Sequence, residues 1–222
     1  QDGVEQARFT SGWFAGASRL ESDLGGRTTA ATAQNTQSPE RHTMQASLTY
    51  LRGSHSFKAG VQYTWGDFWH TVDANADLTQ QYRSNATRVR FSVPDSVVIR
   101  NTPLVYGERL NRDLGFYVQD SWRLNRLTVN AGVRWENIKA QVLASESPAG
   151  RFVPARKFEA IQNLPNWRDW APRFSAVLDV FGNGKTALKA TMNRYVDLGG
   201  NGISGANNPV ELSVRSITRN WA

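Results

Sequence analysis

Alternation of apolar and polar residues, sustained for about ten residues at a time, is the feature that most restricts what this chain can fold into. In residues 127–136, Leu127, Val129, Ala131, Val133 and Trp135 form one set, and Thr128, Asn130, Gly132, Arg134 and Glu136 form the other. Successive side chains on a strand point to opposite faces, so this segment has one apolar and one polar face. A helix would put Asn130 and Arg134 into the apolar stripe. Residues 57–69 repeat the pattern, with Phe57, Ala59, Val61, Tyr63 and Trp65 against Lys58, Gly60, Gln62, Thr64 and Gly66. Met44, Ala46, Leu48 and Tyr50 alternate with Gln45, Ser47 and Thr49. Phe174, Ala176, Leu178 and Val180 alternate with Arg173, Ser175 and Asp179, and Leu188, Ala190, Met192 and Val196 with Lys189, Thr191, Asn193 and Asp197.

The connections between these segments come in two sizes that take turns. The short ones are Gly53-Ser54-His55, Asn125-Arg126 and Gly182-Asn183-Gly184, where Gly and Asn tolerate the positive φ of a tight hairpin. The long ones cover about 21–40, 71–111 and 141–170, with another opening at Gly199, and are rich in Ser, Thr, Asn, Gly, Pro and Ala. Short turns at one end and long loops at the other is the layout of outer-membrane barrels. A soluble sandwich has no reason to segregate loop length in this way. The 71–111 stretch has room for another strand pair, near 83–93 and 96–100, which brings the expected total to about eight strands.

Hydropathy fits that layout. No apolar run reaches the roughly 18 residues of a membrane-crossing helix. The mean hydropathy is -0.51, as expected where lipid-facing and lumen-facing residues alternate. The expected fold is therefore all-β, an antiparallel up-and-down transmembrane barrel. Phe57, Val61, Tyr63, Trp65, Val129, Val133, Trp135, Phe174, Leu178 and Leu188 are its candidate lipid-facing residues. Lys58, Gln62, Thr64, Asn130, Arg134, Glu136, Arg173, Lys189 and Asn193 are the candidate lumen-facing ones. Trp13, Trp65, Trp69, Trp122, Trp135 and Tyr63 fall near strand ends on or beside the apolar face, where interfacial girdles place amphipathic rings. Asp120 and Arg194 interrupt the apolar register, each near a strand end where a polar group can reach headgroups or water.

The run GFYVQDSWRLN-RLTVNAGVRWE, from Gly115 to Glu136, resembles a barrel hairpin of TonB-dependent receptors, in particular the Oar-like group that carries a carboxypeptidase-regulatory-like domain upstream. The stretch HSFKAGV from His55 to Val61 is similar to another strand of that group. So is WAPRFS from Trp170 to Ser175, followed by the Gly182-Asn183-Gly184 turn and KTALKA from Lys185 to Ala190. The resemblance spans roughly 41–197. It implies a barrel of about 22 strands around a plug, energised through TonB, that takes up a solute too large for porins. The expected partners are outer-membrane lipid and, through other parts of a longer protein, the plug and the TonB system. Plug, signal peptide, barrel ends and upstream domain have no counterpart in these residues, so the chain is expected to be an interior slice of the barrel. Nothing in it points to the solute.

Other chemistries find little support. The net charge is +7, but Arg88, Arg90, Arg100, Arg109, Arg112, Arg123, Arg126 and Arg134 are scattered among apolar and acidic residues, so no nucleic-acid partner is expected. Gly200-Asn201-Gly202-Ile203-Ser204-Gly205 matches a dinucleotide fingerprint literally, but Ala206-Asn207-Asn208-Pro209 argues against the helix that fingerprint needs, and a flexible loop is expected. Asp73-Ala74-Asn75-Ala76-Asp77 opens like a calcium loop but has Leu78 and Ser84 where Gly and Glu belong. His42, His55 and His70 lie far apart, with no metal-selecting spacing. Asn85-Ala86-Thr87 is a sequon without weight here. Glu136 and Asp120 are able to meet across a hairpin, although pairing with Arg134 or Arg123 suits them better than glycosidase chemistry. With no Cys there is no thiolate site. No enzyme activity, cofactor or metal is expected. Two other readings stay open at this point: a soluble β-sandwich binding module, with carbohydrate as one ligand class, and a small closed barrel of about eight strands.

Overall fold

A computed structural model describes residues 15–24, 27–28, 33–85, 88–196 and 201–221. Trp13, Ala86, Thr87, Asp197, Gly199 and Gly200, all raised by the sequence, lie outside the described residues. In chain order the strands are β1 (Ser18–Glu21), β2 (Arg27–Thr28), β3 (Gln34–Arg52), β4 (His55–Asp73), β5 (Leu78–Asn85), β6 (Arg88–Arg100), β7 (Leu104–Leu124), β8 (Leu127–Val142), β9 (Ser145–Ser147), β10 (Arg156–Phe158), β11 (Asn166–Asp179), β12 (Ala187–Asn193) and β13 (Ser216–Asn220). Two short helices, α1 (Gly202–Ala206) and α2 (Pro209–Leu212), precede β13.

Six of these strands make one wall, in the order β12-β11-β8-β7-β4-β3. Spatial order follows chain order, and every neighbouring pair is antiparallel, so the wall is an up-and-down sheet. Among the described residues β3 and β12 are its open edges. The tight turns form as their residues dictate. Arg52 pairs with His55 and Leu124 with Leu127, which leaves two-residue loops where Gly53 has φ 57° and Asn125 φ 46°. In the third turn the Asp179 carboxylate accepts the N–H groups of Gly182 at 2.9 Å and Gly184 at 2.8 Å.

The wall strands run far beyond the ten or so residues read from the sequence. β3, β4 and β7 have 19, 19 and 21 residues. A strand of the expected barrel needs only about 9–11 residues to cross hydrocarbon, and each of these strands is about twice that length. Of the stretches that read as loop, 71–73 and 104–111 extend β4 and β7, and 141–142 and 166–170 extend β8 and β11. β12, by contrast, ends at Asn193, before Val196.

At the loop end, β5 and β6 form an antiparallel pair with bounds other than those expected: the stretch 83–93 is divided between them, and 96–100 continues β6 instead of pairing with it. The pair belongs to a separate five-stranded sheet, ordered β13-β6-β5-β1-β2, rather than to the wall. The eight expected strands are thus six in the wall and two above it. Buried apolar side chains are few and, apart from Ala171, lie in the loop-end half. Leu104, Tyr106 and Val210 form one cluster, joined by Val72 and Phe158, and Leu110, Ile138 and Ala140 form another.

Candidate functional site: a polar face closed at its loop end

The pairing register fixes which side chains share a face. Lys58 lies opposite Gln119, Gln119 opposite Gly132, Gly132 opposite Arg173, and Arg173 opposite Asn193. Followed across the sheet, it puts Lys58, Gln62, Thr64, Asn130, Arg134, Glu136, Arg173, Lys189 and Asn193 together on one face. Phe57, Val61, Tyr63, Trp65, Val129, Val133, Trp135, Phe174, Leu178 and Leu188 all occupy the opposite face.

The polar face is low in relief. A β carbon at Gly60 would meet the Tyr117 ring, and one at Gly115 would meet the Arg134 guanidinium. Both large side chains therefore lie flat across glycines of the neighbouring strand. Arg134 is held by Glu136 two residues on, Asn130 donates to Ser175 at 3.1 Å, and the Thr43 and Thr64 hydroxyls meet at 3.2 Å. Lys58, Gln119, Asn130, Arg173 and Asn193 border a hollow of about 430 Å³. Lys58 and Lys189, without ion-pair partners among the described residues, leave the turn-end half of the polar face positive, whereas Asp113, Glu136 and Asp169 lie nearer the loop end.

Toward the loop end, Asn111 of β7 is an extra residue. Leu110 pairs with Ala140 and Arg112 with Lys139, so Asn111 has no counterpart on β8. This β-bulge reverses the parity of β7. Beyond it the even-numbered residues Leu104, Tyr106, Glu108 and Leu110 point to the polar face. The segment 201–215 folds onto them and caps the wall. Asn208 donates to the buried Glu108 carboxylate at 2.8 Å, Tyr106 donates to Glu211, and Arg215 holds Glu211 at 2.9 Å. His70 stacks on Tyr106 with ring centres 4.9 Å apart and approaches Glu108 at 3.5 Å. The Ser204 hydroxyl, itself buried, donates to the Leu164 carbonyl. Burial, then the hydrogen bond and charge of Glu211, push the Tyr106 phenol up to about 12.

The opposite face is apolar and, in large part, exposed. Leu48, Leu188 and Met192 are 74%, 65% and 72% exposed, with no second sheet packed on them among the described residues. Its rings fall at two levels. Tyr50, Phe57 and Trp122 lie near the tight turns; Tyr63, Trp65, Phe116, Trp135 and Trp170 lie higher. Eight residues separate Phe57 from Trp65, about 27 Å along a strand and roughly 20 Å once tilted. That is close to the height of the apolar band between barrel girdles, about 25 Å. Asp120, an acidic residue on this face at the level of Phe57, is not left bare. His55 meets it at 2.6 Å and is itself stacked between Phe57 and Trp122 at 5.3 and 5.2 Å. Arg194 reaches Asp169 at 2.9 Å.

Above the upper rings, Arg109 grips Asp67 with two bonds of 2.7 Å and draws the Asp67 carboxyl below the usual carboxylate range. The three histidines each meet a carboxylate, Glu40, Asp120 or Glu108, and none meets another histidine. Glu136 and Asp120, able to meet by sequence, point to opposite faces and have Arg134 and His55 as partners. Asp77 of the calcium-like run accepts the Thr102 N–H and hydroxyl, and no group of three or more potential metal ligands occurs among the described residues. The glycine-rich run corrects the sequence expectation, because a helix does form over Gly202–Ala206. It is one turn long and packs Ser204 and Gly205 against the wall, with Asn208 capping the next helix by accepting from the Val210 N–H. Glu108, Asn208, Tyr106 and Glu211 carried no sequence signal, since their pairings join residues about a hundred positions apart.

The chain matches the family described as outer membrane beta barrel domain over residues 3–220. It is 28% identical over 178 residues, 72% of its length, to the TonB-dependent transporter Oar of Myxococcus xanthus. The match covers 15% of that protein's length. No solved structure matches the chain.

Proposed function

The chain belongs to the outer membrane beta barrel domain family, and from that premise we propose that it is a segment of the wall of a transporter or receptor. Its polar face, with Lys58, Asn130, Arg134 and Arg173, lines the lumen, and its apolar face, with Val61, Val133 and Trp135, meets lipid. The observation that carries this reading is the exposed apolar face itself. It runs across six antiparallel strands, with Asp120 neutralised by His55, has rings at two levels about one hydrocarbon thickness apart, and has a polar face behind it. A soluble sandwich would cover that face with a second sheet.

The resemblance of the Gly115–Glu136 hairpin and the partial similarity to a TonB-dependent transporter support the finer reading. The wall then surrounds a plug, works with the TonB system through other parts of a longer protein, and admits a solute too large for porins. The flat-lying Tyr117 and Arg134 suit a wall against which a plug packs. The role is passage and recognition rather than catalysis, and it requires no cofactor.

Cysteine accessibility in the full-length protein tests the faces. Cysteine at Val61 or Val133 is expected to resist a membrane-impermeant maleimide in cells. Cysteine at Lys58 or Asn130 is expected to react once the lumen is opened by plug removal. Equal reaction of both sets would refute the wall. Uptake of labelled iron chelates, glycans and peptides, compared with and without a proton ionophore, tests energised transport.

A further inference from the structure

Level with Trp65 and just above the Phe116, Trp135 and Trp170 rings of the apolar face, three cations stand on adjacent strands. Arg112 of β7 lies directly opposite Lys139 of β8. Arg168 of β11 lies opposite Asn137, two residues from Lys139 on the same face, and is two residues above Trp170. Direct neighbours are about 5 Å apart and diagonal ones about 7–8 Å, so the three long side chains can converge on one group. None has an ion-pair or hydrogen-bond partner among the described residues, and the Arg112 Nε–H is buried without an acceptor. The carboxylates at this level are turned away or engaged. Asp113, Glu136 and Asp169 lie on the polar face, Asp67 is held by Arg109, and Glu40 by His42.

We propose that Arg112, Lys139 and Arg168 form a site for the phosphate of an anionic lipid in the leaflet on the loop side. The inference rests on the reading of this face as lipid-facing. The Trp135, Trp170 and Phe116 rings mark the height at which acyl chains give way to headgroups, and the cations begin within two residues of that row. Arginine forks and a lysine ammonium fit phosphate oxygens. Phe116, Val118, Val133, Trp135 and Trp170 border an apolar groove on the same face, its nearest residue, Trp170, two positions from Arg168, and it offers a path to an acyl chain. A soluble anion would have no use for that groove, and on this ground the occupant is a lipid.

The test uses the full-length protein in nanodiscs of phosphatidylethanolamine carrying either lipid A or dephosphorylated lipid A, with retained lipid read by native mass spectrometry. Wild type should retain lipid A preferentially. Each glutamine substitution among Arg112, Lys139 and Arg168 should weaken retention about fivefold, and the triple variant roughly a hundredfold. Arg151→Gln, in a loop, should leave retention unchanged. A spin label on Val133→Cys reports separately whether the face meets lipid, and exposed Arg168→Gln alone gives a graded reading should the triple variant not fold. Unchanged lipid A retention in the substituted protein, with Val133 in lipid, would overturn the site and leave the wall reading standing. A water-exposed label at Val133 would overturn both. Displacement of lipid A by millimolar inorganic phosphate would overturn the assignment to a lipid.

Discussion

Asn208 donates its side-chain amide to the Glu108 carboxylate at 2.8 Å, out of solvent and across a hundred residues of sequence. The bond ties the segment after β12 to the polar face of β7, and with it the loop end of the wall is covered. A buried hydrogen bond to a charged group contributes about 1.5–3 kcal/mol. Asn208→Ala is therefore expected to free the segment 201–215 while the wall stays intact. Hydrogen exchange of the full-length protein should show faster exchange at 201–215 and unchanged protection in β7 and β8. Uniform loosening of both would mean that the bond supports the whole sheet and not the cap.

The cap should also fail in alkali. The Tyr106 phenol has its folded value raised from 10.0 to about 12 by burial and by Glu211. The folded form then holds the proton where the unfolded form has lost it, so stability is fully present below about pH 10 and declines as pH rises toward 12. Protease sensitivity of 201–215 should rise across that window, and Tyr106→Phe should flatten the dependence. A wild type and a variant with the same profile would remove Tyr106 from the cause.

Opposite faces make opposite demands. Val133→Arg puts a charge on the apolar face midway between the ring rows and is expected to cost about 2–4 kcal/mol of folding stability in lipid. Asn130→Gln, on the polar face, should be nearly silent. Urea titration of the full-length protein in lipid vesicles measures both, and equal costs would contradict the face assignment.

These two faces were legible in the sequence because period two is a local property. The register keeps the two sets, Lys58 to Asn193 and Phe57 to Leu188, on separate faces, and which face meets lipid belongs to the proposed reading. The length of the strands was not legible. Beyond Trp65 the alternating residues are no longer apolar on one side, so the hydrogen-bonded ladder continues with no hydropathy signal. Nor was the bulge at Asn111, which makes even positions of β7 such as Glu108 share a face with odd ones such as Tyr117. The cap stayed hidden for a different reason. Its bonds, such as Tyr106 to Glu211, depend on where distant segments meet, and no window of sequence contains both partners.

Loop length predicts sidedness. Trypsin added to intact cells should cut at Arg151, in the exposed connection between β9 and β10, or at exposed Lys157 of β10, and spare Arg126 and Lys185 in the tight turns. The reverse pattern would invert the topology.

The edges predict the behaviour of this segment by itself. Among the described residues β3 and β12 each present an unpaired backbone ladder, which in hydrocarbon costs several kcal/mol per group and in water invites strand addition. Residues 1–222 expressed alone should aggregate in buffer and show no heat-modifiable mobility in detergent. A monomeric, protease-resistant product in micelles would instead support a small closed barrel.

The five-stranded sheet at the loop end sets an order of events. β1 pairs with β5 across about sixty residues, and β6 with β13 across more than a hundred. Its long-range pairs join connections that leave the wall at different points, so on the proposed wall reading the β1–β5 and β6–β13 pairings form only after those separate connections have crossed the membrane. Sheet and cap are consequently the last parts to become native, and a stalled insertion would leave a finished wall with an open mouth.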